Sequence, residues 1–320
     1  MKYIFSVLTI LLFFFSFSQE IALDSVQGTE QKLNEVIVSS IRVKYTSPFT
    51  HSNVSKEELS KRNLGQDLPI LLNYLPSVVT TSDAGAGIGY TGIRIRGISA
   101  QSTNITINGI PFNDAESHGT YWVNLPDFSS SVESLQVQRG VGTSTNGSGA
   151  FGSSINILTD GISEDPYAEI SNSFGSYDSR KHTVKFSSGL LNDSFEISGR
   201  LSKIDSDGYV DRAFSDLKSY FLQGAYKRGN TFLKALAFGG HEKTYQAWDG
   251  LSKEQIKENR RQNPLTYENE IDNYKQDHYQ MHLNQKIDSK WSTNIGLNYC
   301  LLYTSPSPRD VEESRMPSSA

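Results

Sequence analysis

Five residues in one short polar stretch have types and spacing suited to holding a ligand: Asp114, Glu116 and His118, followed by Tyr121 and Trp122. Carboxylates beside an imidazole form a donor set for iron, and the same groups can hydrogen-bond a chelate. The plain alternative is a solvated polar loop. A second histidine pair, His278 and His282, brackets Gln280 in an alternating segment. Residues four apart on a strand are about 13 Å apart, so these imidazoles cannot share a metal and read as polar residues of one face.

Other chemistry is excluded by context. The spacings Gly87-x-Gly89-x-x-Gly92 and Gly147-x-Gly149-x-x-Gly152 match a dinucleotide fingerprint, which needs a strand before it and a helix after it. Both runs lead into strand-like sequence, "IRIRG" and "SINILTD", so no nucleotide cofactor is expected. No Ser/His/Asp constellation supports an enzyme. A formal net charge of -5 offers no basic field for nucleic acid.

The elements that must position these residues fall into unlike parts. Residues 1–18 carry one lysine, an apolar run from Ile4 to Phe15 and a small-x-small ending, which predicts a secretory signal cleaved before Gln19. Residues 19–45 read as a flexible leader containing one β-branched run, "NEVIVSS", at 34–40. That run is either an edge strand or a segment awaiting another protein's sheet edge. Residues 46–160 read as a small mixed domain. Ser55-x-x-Glu58 is a capping box opening a helix, Asp67 can cap a second helix over "LPILLNYL", and strands are expected at 93–96, 104–107, 132–140 and 153–160. Asn108-Gly109 marks a tight turn.

Beyond Pro166 the period becomes two. Phe195, Ile197, Gly199 and Leu201 alternate with Glu196, Ser198, Arg200 and Ser202, and about seven such strands begin near Tyr167, Lys181, Ser194, Lys218, Thr231, Tyr274 and Lys290. Short turns at 190–193, 227–230 and 288–290 alternate with the polar stretches 203–216 and 241–273; the short first outer turn, 175–178, is the exception. That asymmetry, with the export signal, favours an outer-membrane β-barrel over a soluble sandwich. Seven strands leave free edges, so the barrel is incomplete in this chain.

"GIRIRG" at 92–97, "ITINGIP" at 105–111 and the run at 132–160 closely resemble the plug domain of TonB-dependent outer-membrane receptors. Glu35, Val36, Ile37, Val38 and Ser39 resemble that family's TonB box. Arg94, Arg96, Gly97, Asn108, Gly109, Arg139, Gly140, Gly149 and Gly152 are the plug positions carrying the likeness. Asn146 and Ser153 depart from it, where an aromatic residue and a glycine are usual. The stretch 113–128 resembles receptors of the Bacteroidetes group.

The resemblance implies an α+β plug domain inside a transmembrane antiparallel β-barrel in the outer membrane of a Gram-negative cell. The implied ligand is a scarce small molecule, such as a ferric siderophore or similar metal chelate, bound outside between plug apices and barrel loops. The implied partners are the TonB complex of the inner membrane, which pairs with residues 35–39, and outer-membrane lipid. Asp114, Glu116, His118, Tyr121 and Trp122 would then face outward, and Arg94, Arg96 and Arg139 would pair with acids of the barrel wall. A non-transporting binding or adhesion protein is the alternative.

The stretches 300–310 and 314–320 resemble the in-frame translation of a sequencing adapter, so residues 300–320, including the single Cys300, are expected not to be biological. Adapter-free long reads of the source DNA across codon 299 should therefore show the frame continuing into several hundred further residues of alternating strands. A natural stop after Ala320 would rule out a closed barrel from one copy, and with it transport.

Overall fold

The computed structural model describes residues 42–43, 47–142 and 150–304. The expected signal segment, the residues Glu35 to Ser39 expected to form a TonB box, Gly149 and the tail beyond 304 lie outside the described residues.

The first element, β1 (His51–Ser55), passes directly into α1 (Lys56–Arg62). The turn between them is the expected capping box: the Glu58 N–H donates to Ser55 Oγ at 3.3 Å, and the Ser55 N–H donates to Glu58 Oε2 at 2.9 Å. The next helix, α2 (Leu68–Leu71), is one turn long, shorter than its apolar run suggests, and Asp67 makes no side-chain cap to it. Asp67 is committed elsewhere: its N–H donates to the Gly87 carbonyl and its carboxylate accepts the Thr91 hydroxyl.

Six more short strands complete this domain: β2 (Val78–Ser82), β3 (Thr91–Ile95), β4 (Thr103–Ile107), β5 (Ile110–Pro111), β6 (Val132–Arg139) and β7 (Ser153–Thr159). One sheet has the order β1-β6-β7-β4-β5, and β2 and β3 form a separate hairpin. Only β4 and β7 run parallel; the remaining pairs are antiparallel. Asn108 and Gly109 make the predicted turn, with φ of 52° and 84°. Asn108 Oδ1 also accepts the Thr159 N–H at 3.1 Å, so the turn is tied to β7.

The second part is a seven-stranded antiparallel sheet in strict sequence order: β8 (Pro166–Phe174), β9 (Arg180–Ser188), β10 (Phe195–Ser206), β11 (Ser215–Arg228), β12 (Thr231–Tyr245), β13 (Ile271–Lys286) and β14 (Ser292–Thr304). All seven expected strands are present. A short helix, α3 (Lys253–Glu258), lies in the loop between β12 and β13. The ladder does not stop at Tyr299: Cys300 to Thr304 continue it against Tyr274 to His278. Apolar residues without proline extend a ladder whatever their origin; the first proline of the tail is Pro306.

Alternation sorts this wall into two faces. Ile197, Leu201, Leu222, Tyr279, Met281 and Leu297 are exposed on the outer face, whereas Glu196, Arg200, Gln223, Lys234, His278 and Gln280 are buried on the inner one. The small domain covers that inner face. Its core residues Trp122, Leu125 and Phe128 form one apolar cluster with Phe221, Leu236 and Phe238 of the wall. Phe128 stands 5.3 Å from Phe238 and 6.4 Å from Phe221, centroid to centroid.

This approach depends on Gly240. A Cβ there would lie 2.5 Å from the Asn124 carbonyl oxygen and 2.6 Å from Pro126 Cδ, both on the small domain. Gly240→Leu should therefore push the segment 124–126 off the wall and destabilise the domain pair by about 1–3 kcal/mol. Thermal unfolding in detergent would detect this, and an unchanged midpoint would show that the contact is dispensable.

Candidate functional site

The strongest contacts between the two parts converge on Asp127, which sits in the left-handed region at φ 52°. Its side chain is fully buried, and its partners come from β9 and β10 of the wall and from Asn63 and Ser130 of the small domain. Lys181 Nζ lies 2.7 Å from Oδ1, and Arg200 lies 3.5 Å from Oδ2 while also bonding the Asp127 carbonyl oxygen. The hydroxyls of Thr183 and Ser202 donate to Oδ2 at 2.7 and 2.6 Å, and Asn63 and Ser130 donate to Oδ1 at 2.9 and 2.6 Å. Burial opposes ionisation here, but the Arg200 and Lys181 charges outweigh it and hold the carboxyl well below the ordinary aspartate range.

Asp160 repeats the theme one strand further on. Burial again works against its charge, while Lys185 at 3.2 Å and Lys56 at 2.7 Å lower its pKa. Lys234 reaches in from β12 to bond the Thr159 hydroxyl at 2.9 Å and the Asp160 carbonyl at 2.6 Å. The small domain thus supplies the carboxylates and the wall supplies Lys181, Lys185, Arg200 and Lys234, while Lys56 is the small domain's own cation. Sequence reasoning missed these residues. The usable signal was a lysine or arginine at an inward strand position, which marks a buried charge without naming its partner.

At the end of the wall with the long loops, the small domain's apex is clasped. The Ala84 carbonyl accepts N–H bonds from Tyr209 and Val210 at 2.7 and 3.1 Å. Arg261 bonds the Tyr209 carbonyl at 2.9 Å, and Arg212 bonds the carbonyls of Asn263 and Leu265 at 2.9 and 2.8 Å, so the two long loops brace one another. Tyr90 donates to Asp272 at 2.5 Å, with Glu242 at 3.4 Å; burial and these two carboxylates raise its pKa and keep the phenol protonated. Burial also pushes Asp67 up to about 8, against the lowering effect of the Thr91 hydroxyl bond.

The five candidate ligand residues divide. Asp114 caps its own loop, accepting N–H bonds from Ser117 at 2.7 Å and Glu116 at 3.1 Å, and the Ser117 bonds lower its pKa. Glu116, His118 and Tyr121 are exposed, while Trp122 is buried in the shared core and presents nothing to a ligand. Among the described residues, no group of three or more His, Cys, Asp or Glu side chains is placed to hold a metal ion. His278 and His282 are buried on the inner face, as expected; His278 stacks on Phe238 at 4.9 Å.

The three arginines do not meet acidic wall residues among the described residues. Arg139 instead bonds the Pro76 carbonyl at 3.0 Å and Ser52 Oγ at 2.5 Å, while Arg94 and Arg96 are exposed. The motif glycines have steric reasons. Gly97 and Gly140 adopt φ of 73° and 92°, and a Cβ on Gly152 would lie 2.5 Å from Ile98 Cγ2.

A small mixed domain seated on the inner face of a sequentially ordered antiparallel wall, and pinned there by buried charge, defines a plugged-barrel architecture. Residues 43–154 match the family model of the TonB-dependent Receptor Plug Domain, and the chain carries the plug and adjoining wall strands of a TonB-dependent receptor. It is 32% identical over 158 residues to the vitamin B12 transporter BtuB of Vibrio vulnificus, covering 49% of this chain and 25% of that protein. It is 26% identical over 175 residues to the ferric enterobactin receptor of Pseudomonas aeruginosa, covering 49% and 24%. The chain thus spans about a quarter of the length of these relatives. The solved structure of the ferric yersiniabactin uptake receptor FyuA from Yersinia pestis superposes with a TM-score of 0.63 at 17% identity, covering 79% of this chain and 40% of that one. At that identity the likeness is one of fold.

The Asp127 cluster generates a test. Asp127→Asn keeps the shape but leaves Lys181 and Arg200 uncompensated, and should cost about 3–5 kcal/mol at neutral pH. For a depressed aspartate, the contribution is complete above the ordinary range near pH 4 and is lost as pH falls through the lower folded value. Chemical unfolding of wild type should therefore weaken in acid, and the variant should lose Asp127's share of that limb and keep only the share of Asp160. Equal stability of the two at pH 7 would sink the assignment.

Proposed function

We propose that this chain is the N-terminal part of an outer-membrane receptor that imports a scarce small ligand, a ferric siderophore or similar metal chelate, by energy-coupled rearrangement of its plug. The observation that carries the reading is the plug itself, held against the inner face of barrel-type strands by buried ion pairs beneath two mutually braced loops. The relatives support the ligand class, since one is a vitamin B12 transporter and another a ferric enterobactin receptor. On this reading residues 1–18 direct export, residues 35–39 pair with TonB, and Asp114 fixes the loop that offers Glu116, His118 and Tyr121 to the ligand.

The test separates transport from binding. In the completed gene, deletion of residues 34–40 should abolish uptake of radiolabelled ferric enterobactin or cobalamin, whichever the wild type imports, and leave surface binding of that probe intact. Uptake that survives the deletion would refute the coupling and leave a non-transporting binding protein.

A further inference from the structure

The buried carboxylates that pin plug to wall each have their cations: Asp127 has Lys181 and Arg200, and Asp160 has Lys56 and Lys185. The carboxyl groups at the long-loop end have none. Asp67, Asp114, Glu242 and Asp272 make no ion pair among the described residues, although Asp67 is only 4% exposed and Glu242 only 1%.

These four groups converge from both parts of the molecule. Glu242 pairs with Tyr274 in the ladder and Thr244 with Asp272, so Glu242 and Asp272 are diagonal neighbours, which stand about 7–8 Å apart. Tyr90 of the plug reaches both, at 3.4 Å and 2.5 Å. Asp67 and Asp272 are near enough to act electrostatically on Glu242, and Asp114, Glu242 and Asp272 are near enough to act on Tyr274. Acidic side chains thus run from the open plug loop at Asp114 to the sealed end of the wall.

One atom shows what is missing. Asp67 Oδ2 accepts the Thr91 hydroxyl, but Oδ1 is closed off from solvent and accepts no bond among the described residues. A buried carboxyl oxygen left unmet is costly, and the two arginines at this end are spent elsewhere. Arg212 bonds the carbonyls of Asn263 and Leu265, and Arg261 bonds the Tyr209 carbonyl beside Asp211. Nor are these carboxyls grouped to chelate a metal ion. An ammonium or guanidinium group needs no closed coordination shell and bonds carboxylates one at a time, so it fits the spacing.

We propose that this acidic mouth receives a positively charged group carried on the imported ligand, an ammonium or guanidinium, met first by Asp114 and Asp272 with Glu242 and Asp67 behind them. The inference rests on the import reading and narrows it to ligands that bear positive charge. Protons shared among the same carboxyls would hold the plug apex to the wall but give no preference among ligands. Ligand charge is therefore the quantity to vary.

The test is equilibrium dialysis of the completed receptor, in detergent, against two matched pairs of labelled complexes. One pair is a ferric linear trihydroxamate with a free terminal ammonium and its uncharged N-acetylated form; the other is cationic aquocobalamin and uncharged cyanocobalamin. In whichever pair binds, the cationic member should bind about tenfold tighter or more, the worth of one charge-assisted contact. Asp272→Asn keeps an oxygen to accept from Tyr90, and should cut that preference to about threefold or less; Glu242→Gln should do likewise. Equal binding of the two members, tighter binding of the uncharged one, or a preference that persists in both variants would overturn the proposal and leave the import reading standing. Tighter binding of anionic ferric enterobactin than of either cationic complex overturns it in the same way. A receptor that binds none of these complexes overturns the proposed ligand class together with this inference.

Discussion

Everything in this structure is arranged around the cost of burying one carboxylate. Asp127 is sealed from solvent, and a charge in that position is sustainable only with Lys181 and Arg200 beside it. The dependence runs both ways, since the same two cations are themselves buried on the wall's inner face and would be uncompensated without the plug. Strands β9 and β10 therefore have one permitted placement against the segment 126–131. Asp160 fixes a second point through Lys185 and Lys234, and two points on a rigid sheet leave little freedom to rotate.

Polar pairing sets the register, but it does not supply much of the cohesion. That comes from the apolar cluster, in which Phe128, Phe221, Phe238, His278 and Phe112 succeed one another across the boundary between plug and wall. Buried His278 behaves in this run as a flat aromatic plate. The plug's core is thus completed by residues of the wall, and the two parts share one interior over β11 to β13.

Much of the architecture was legible in the sequence because it follows from local rules. Period-two alternation located all seven wall strands, and the Ser55–Glu58 box and the Asn108-Gly109 turn were readable from a few residues each. Strands β1 and β2 were not foreseen: "HSNVS" has a single apolar side chain, and its pairing with β6 is set by tertiary context. The Asp67 helix was overestimated because its tether to Thr91 and Gly87 is not a local property. The candidate site was less legible still. Asp114 and Trp122 looked like ligand donors by type, yet one folds its loop and the other fills the core, a distinction that only packing decides.

The first described residues have a mechanical meaning. Arg42 bonds Ser134 and the carbonyls of Ser134 and Asn156, and the backbone of Val43 exchanges bonds with the Gln136 side chain. Eight residues later β1 joins the edge of the same sheet beside β6. These are two fastenings in series. A tension entering the chain ahead of Arg42 loads the side-chain clip first and reaches the five-residue ladder only after the clip lets go. The intervening seven residues, 44–50, hold at most roughly 24 Å of contour. Tethers in series fail one at a time, so the strand edge is shielded from small pulls and exposed to sustained ones.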